Sequence, residues 1–341
     1  MGPCFRRDDS RWVGNARGYH LLSPSSAWSR QVSTIDNSAA TAAVALERPK
    51  KGMSVERAQG RIGVLFATPY TLFLIAFGIL PALYAIYLAF TKKGAFVGFD
   101  NFLKVFKDYR FWPAVEHVGL FIIVWLVLLV VLVVTLAILV HSIGLRWFSG
   151  AMRFVYYIPG ALAGASSVML WLFVLDPTVS PVSWLLQALG IENFVGAVEA
   201  SRLPIVLAVI AFWTGAGGWI VIMYGAHNNI SKDVIEAARV DGAGPVRIAW
   251  SIQIPLMRKW IAYMVIMSFA GGTQLFVEPR VLAQASRGVV GQDYSLNQLA
   301  FLYAFKQNDF NGSAAISLVL LAVAVALSIY FVFKGGLFER A

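Results

Sequence analysis

Six long apolar stretches constrain this chain more than anything else in it. They run over 62–90, 118–140, 154–175, 203–226, 260–282 and 314–333. A helix rising 1.5 Å per residue needs about 20 apolar residues to cross the hydrocarbon core of a bilayer, and each stretch is long enough. They are continuous runs, unlike the alternating segments of a membrane β-barrel. Composition agrees: hydrophobic residues make up 58% of the chain and charged ones 13%, against roughly 45–50% and 25% in soluble domains. A soluble protein of this length could not bury so much apolar surface in one core. The expected fold is an all-α membrane protein, a bundle of six transmembrane helices spanning 61–341.

Between the fourth and fifth stretches lies a polar insert, 231–256, too short to be a domain. Ser231 stands where a helix cap belongs, and Asp233 in the first turn suits the N-terminal dipole. Val234, Ile235, Ala237, Ala238 and Val240 continue a short helix with small side chains. Gly242 and Gly244 break it, and Pro245 suits the first position of a second helix. That helix should end near Ile254, with Pro255 opening the next membrane segment. The product is a compact knob outside the lipid.

The knob also carries a resemblance. Glu236-Ala237-Ala238, Asp241-Gly242-Ala243 and Ile254-Pro255-Leu256 resemble the EAA loop of binding-protein-dependent ABC importer permeases. The stretches 97–112 and 313–321 look like the carbohydrate-uptake branch, the maltose/glycerol-phosphate-transporter-like permeases. The resemblance covers roughly 61 to 333. It implies a permease subunit, not an enzyme, that pairs with a second permease subunit and two ATP-binding subunits and receives solute from an extracytoplasmic binding protein. ATP and magnesium would be bound by the partner ATPase, with no cofactor in this chain. Glu236, Ala237, Ala238, Asp241, Gly242, Ala243 and Pro255 are the residues it assigns to ATPase coupling. The membrane would be the bacterial or archaeal cell (inner) membrane. An ion-coupled secondary transporter, or the same machine carrying a non-carbohydrate solute, is the alternative.

Lys and Arg near the spans set orientation. Arg57 and Arg61, Arg146 and Arg153, Lys232 and Arg239, and Lys334 and Arg340 fall in alternate loops and at the chain ends, so both termini are expected in the cytoplasm. The loop 176–202 carries Asp176, Glu192 and Glu199 against Arg202. One loop resists the rule, with Lys92, Lys93, Lys104, Lys107 and Arg110 on the outside. Phe99, Phe102, Leu103, Phe106 and Tyr109 recur there at helical spacing, so an amphipathic helix lying among lipid headgroups is expected. Residues 1–60 form a Ser-, Ala- and Arg-rich tail, read as disordered or as a start placed ahead of Met53. Arg6 excludes a myristoylation signal.

Several chemistries are excluded. The net charge of +10 reflects topology and tail, with no aromatic-interleaved basic stripe for nucleic acid. Cys4 is alone, and His20, His117, His141 and His227 are scattered, so neither a disulfide nor a metal-binding pattern arises. The chain has no P-loop. Within the spans the strongest charge is Glu278, which either pairs with Arg280 at the interface or serves transport directly. By resemblance, the solute passes between the spans flanking the knob. Gly215, Trp219, Ser268, Gly272 and Gln274 are the pathway candidates there, with helix packing an equal alternative for the glycines. They suit a neutral carbohydrate, and lipid is the remaining partner.

Overall fold

A computed structural model describes residues 53–142, 146–162 and 164–334, so most of the tail and the last residues lie outside the described chain. The chain divides into two compact units, Met1–Leu72 and Phe73–Ala341. The described part of the first is helical, within α1 (Met53–Leu74). The second unit holds α2 (Leu80–Phe90), a two-residue hairpin (Thr91–Lys92 with Ala95–Phe96), α3 (Asp100–Phe106), α4 (Phe111–Ser142) and α5 (Arg146–Ala161). It continues with α6 (Gly164–Val174), α7 (Ser183–Ala188), α8 (Phe194–Ala197), α9 (Leu203–Asn228), α10 (Lys232–Val240), α11 (Pro245–Ile248) and α12 (Ile254–Gly272). It closes with α13 (Val277–Ala285), α14 (Leu296–Phe301) and α15 (Phe310–Lys334).

Each of the six apolar stretches is mostly helical over its described residues, but not all are straight. Among the described residues, four helices are long and apolar enough to cross a membrane: Gly63–Phe90, Phe111–Ser142, Leu203–Asn228 and Phe310–Phe333. The count rises to six if two bent pairs each make one span, Gly150–Ala161 with Gly164–Val174 and Pro245–Gly272 with Val277–Ala285, the latter bent by 46°. A hydropathy run is blind to such bends. Here Pro159 lies within α5, Gly164 takes a positive φ of 46° and Phe276 leaves the helical region before α13.

Two of the prolines inside helical runs, Pro81 and Pro255, are accommodated in the same way. A proline lacks the N–H that bonds the carbonyl four residues back, and its ring clashes with that carbonyl. Ahead of Pro81 the helix widens into a π-turn, Ile75–Ile79, and Leu80 N–H bonds Ile75 O. Ahead of Pro255 it widens at Ala249–Gln253, and Ile254 N–H bonds Ala249 O. The second short helix of the knob therefore does not end near Ile254, as the sequence suggested. It runs without interruption from Pro245 to Gly272, with the π-turn absorbing the proline.

The core is built by close backbone approach. Helix α9 packs against both α4 and α5. A Cβ on Gly217 would fall 2.1 Å from the Tyr156 carbonyl oxygen, and one on Gly160 would fall 2.9 Å from that of Thr214. In hydrocarbon there is little hydrophobic gain from helix association, so small residues that let backbones touch carry much of the packing. Gly272 does the same for α12, where a Cβ would meet the Trp125 ring of α4 at 2.7 Å.

Helix α3 departs from the expected headgroup helix. Phe102 and Val105 are buried with Ala89, Phe111 and Tyr303, while Phe99, Leu103 and Tyr109 stay exposed. The stripe is split between the core and the surface because α3 packs on α15 and α2. Its basic side chains are also partly neutralised. Lys104 Nζ lies 2.6 Å from Asp309 Oδ2, and Arg110 grips Asp108 through Nε and Nη2 at 3.0 and 2.7 Å. The Arg110 hydrogen bonds hold the Asp108 carboxyl well below the usual carboxylate range against burial, helped by the Tyr303 hydroxyl at 2.6 Å. Burial, then that same bond to Asp108, pushes the Tyr303 phenol up. Nearby, Asn101 and Asn311 donate to the Ala89, Thr91 and Leu88 carbonyls, satisfying orphan acceptors where α2 ends.

The glycine contact gives a test. Gly217→Val should lower the stability of the subunit in detergent micelles by about 3 kcal/mol, the upper end of overpacking costs. Gly215→Val, which meets open space, should stay within about 0.5 kcal/mol in the same unfolding measurement.

Candidate functional site

The knob is an exposed helix-turn-helix. In α10, Lys232–Val240, Asp233 occupies the first turn as expected, but the Ser231 side chain makes no capping hydrogen bond. Helix α10 ends in a Schellman turn: Gly242 N–H bonds Arg239 O at 3.0 Å and Ala243 N–H bonds Ala238 O at 2.9 Å. This requires the positive φ of 80° that Gly242 adopts. Gly244 is extended, and Pro245 opens α11. Glu236, Ala237 and Asp241 are exposed, and Ala238 and Ala243 are half-buried. Large apolar side chains are also laid open: Val240 is 87% exposed, Val246 80% and Trp250 75%. Exposed apolar surface on a polar element marks a docking site more often than chance.

Beneath the knob is a cleft of about 640 Å³ whose lining includes Glu236, Gly242, Ala243, His141, His227 and Gln253. The structure thus brings Glu236, Gly242 and Ala243 onto one cavity, while Pro255 lies further along the continuing helix. His141 and His227 close the last turns of α4 and α9, and their rings are 3.8 Å apart between centroids. Arg153 lies over the Tyr224 ring at 4.2 Å, and Tyr224 in turn contacts His141. Sequence reading passed over the two histidines as scattered. Their common place in the last turn of a span, where the helix dipole favours a basic side chain, was the available signal.

The pathway candidates do not converge on one cavity. Trp219 meets Tyr263 edge-on at 5.8 Å, joining α9 to α12. Gly215 is exposed and opens onto free space. Ser268 is buried, and Gly272 lies against Trp125. Gln274 is exposed and lines two grooves, of about 430 and 170 Å³, shared with Asn297 and Ser317. The expected pairing of Glu278 with Arg280 is not formed among the described residues. Arg280 stacks over the Phe301 ring at 4.6 Å instead, because α14 comes against the end of α12 through Asn297 Nδ2 and Thr273 O at 3.2 Å.

No family model matches the chain. It is 26% identical over 278 residues to the probable ABC transporter permease protein YurN of Bacillus subtilis (strain 168), covering 79% of this chain and 94% of that protein. It is 25% identical over 281 residues to the arabinooligosaccharides transport system permease protein AraP of Halalkalibacterium halodurans, covering 80% and 87%. A crystal structure of a bacterial alginate ABC transporter, in complex with an alginate pentasaccharide-bound periplasmic protein, superposes with a TM-score of 0.70 at 16% identity, over 82% of this chain and 96% of that one. The structural likeness gives the fold, and the apolar helices make this a multi-pass membrane protein.

The Schellman turn sets a local test. Gly242→Val should cost about 1–2 kcal/mol, because a β-branched residue resists the left-handed region. Hydrogen exchange of the amides over 238–243 should quicken roughly 5- to 30-fold. Gly244→Ala, at an extended position, should leave that exchange unchanged.

Proposed function

We infer that this chain is a transmembrane permease subunit of a binding-protein-dependent, ATP-driven ABC importer that carries a sugar or related polyol. The observation that carries the reading is the exposed knob, with its glutamate, paired alanines and glycine corner, set in a chain whose similarity takes in most of two permease relatives. The alginate transporter, seen with a sugar-loaded periplasmic protein, supports delivery of solute from outside. Each bent helix pair is one span, giving six, with the knob and both termini in the cytoplasm. A second permease subunit completes the pathway, and two ATPase subunits bind ATP and magnesium. This chain contributes no catalysis.

Coupling follows from differential affinity. Closed, ATP-bound ATPases favour one arrangement of the permease pair, and hydrolysis returns the other. The knob transmits that movement because it is continuous with a span: no loop separates Pro245 from Gly272, so a push on α11 acts on α12. Val240, Val246 and Trp250 offer apolar contact to an ATPase cleft, Glu236 offers a charge, and Ala237 and Ala238 let the partner come close.

Glu236→Lys should abolish solute-stimulated ATP hydrolysis in the reconstituted complex, since an interface anchor carries about 2 kcal/mol or more. Wild-type stimulation would remove the coupling role from the knob. Topology is checked by single cysteines at the Glu192, Gln292, Arg146 and Arg239 positions. The first two should react with an impermeant reagent from outside, the last two only from inside.

A further inference from the structure

The two grooves beside Gln274 share no lining residue with the cleft beneath the knob. One is lined by Gln274, Asn297, Ser313 and Ser317 together with Phe276, Phe301 and Phe305, among others. The other shares Gln274, Asn297 and Ser317 and continues along α15 to Ala324. From Ser313 to Ala324 is about 16 Å of helix, roughly half of a hydrocarbon core about 30 Å thick. The groove therefore runs from the end of the bundle opposite the knob toward its middle.

Its polarity is out of place on a lipid-facing surface. A carboxamide in hydrocarbon is costly unless it is hydrogen-bonded. Among the described residues, the exposed Gln274 carboxamide has no hydrogen-bond partner. Asn297 spends one N–H on the Thr273 carbonyl, which leaves its Oδ1 and a second N–H. Three aromatic rings form a wall beside these amides: Phe276 and Phe301 are 5.7 Å apart between centroids, Phe301 and Phe305 4.8 Å. Phe305 is 66% exposed. No Asp, Glu, Lys or Arg lines either groove. Arg280 covers the Phe301 ring, which leaves Phe305 as the open face. Amides with spare hydrogen-bonding capacity beside that face match a ligand that has hydroxyls on its edges and C–H groups on its faces.

We propose that this groove is a carbohydrate subsite on the transport pathway. Gln274 and Asn297 hydrogen-bond sugar hydroxyls, and Phe305 supplies the stacking face. The proposal rests on the reading of the chain as a sugar permease and adds a place and residues to it. Of the candidates expected between α9 and α12 it keeps Gln274, whereas Ser268 and Gly272 are covered.

The test uses proteoliposomes holding the assembled importer with its own binding protein. Radiolabelled glucose, xylose, maltose, lactose, trehalose, maltotriose, glycerol and sorbitol serve as probes. The wild type should accumulate at least one of them, and Gln274→Ala and Asn297→Ala should each slow that uptake at least tenfold. Among the described residues the Gln274 side chain has no hydrogen bond to lose, so its variant separates binding from folding. As a second measurement, Ser317→Cys in a Cys4→Ser chain should react with a water-soluble methanethiosulfonate, more slowly when the transported probe is present. Wild-type uptake by both alanine variants, or labelling of the cysteine only by a lipid-soluble maleimide, would overturn the subsite and leave the permease reading standing. An importer that hydrolyses ATP yet accumulates none of the probes would overturn the carbohydrate reading and the subsite together.

Discussion

Inside a bilayer no water is available to a bare N–H or C=O, so every backbone polar group in a span must find its partner within the protein. Much of the local architecture here answers that demand. Pro81 and Pro255 each remove a donor from a helical run, and each is preceded by a π-turn in which the neighbouring N–H reaches five residues back. Where α2 stops, Asn101 and Asn311 arrive from distant segments to take up its carbonyls. The two devices differ in chemistry but solve one problem.

Satisfied helices still have to be held together. With lipid as apolar as any side chain, contact between backbones matters more than hydrophobic burial. Gly217 against Tyr156 and Gly272 against Trp125 fasten α9 and α12 to the long helix α4 and its neighbour α5. At the end opposite the knob the polar ties take over. Asp108 joins Arg110 to Tyr303, and Lys104 meets Asp309. These pairs neutralise charge that would otherwise oppose the inferred topology. They also anchor the π-turn Leu302–Lys306, which holds Tyr303.

The knob is exposed while its base is anchored. No residue of α10 is buried, whereas Ile248 and Gln253 at its base pack inward beside the histidine pair of α4 and α9. Continuity of α11 with α12 makes the exposed part mechanically part of a span. An element that must transmit movement gains from this arrangement, because a flexible joint would dissipate the displacement before it reached the membrane.

Much of this was legible from residue order alone. Long apolar runs dictate helices, because hydrocarbon admits few other backbones, and the positive φ of Gly242 and the helix start at Pro245 follow from local stereochemistry. What residue order left open depends on which segments meet. Ser231 sits at its cap position without bonding, Gly272 is covered because Trp125 of another helix lies on it, and Arg280 turns to Phe301 rather than to Glu278. The aromatic stripe of α3 is divided between core and surface for the same reason. Helical periodicity is a property of one segment and could be read in advance. Burial, pairing and the shape of a groove are properties of two or more segments in contact, and only the tertiary structure decided them.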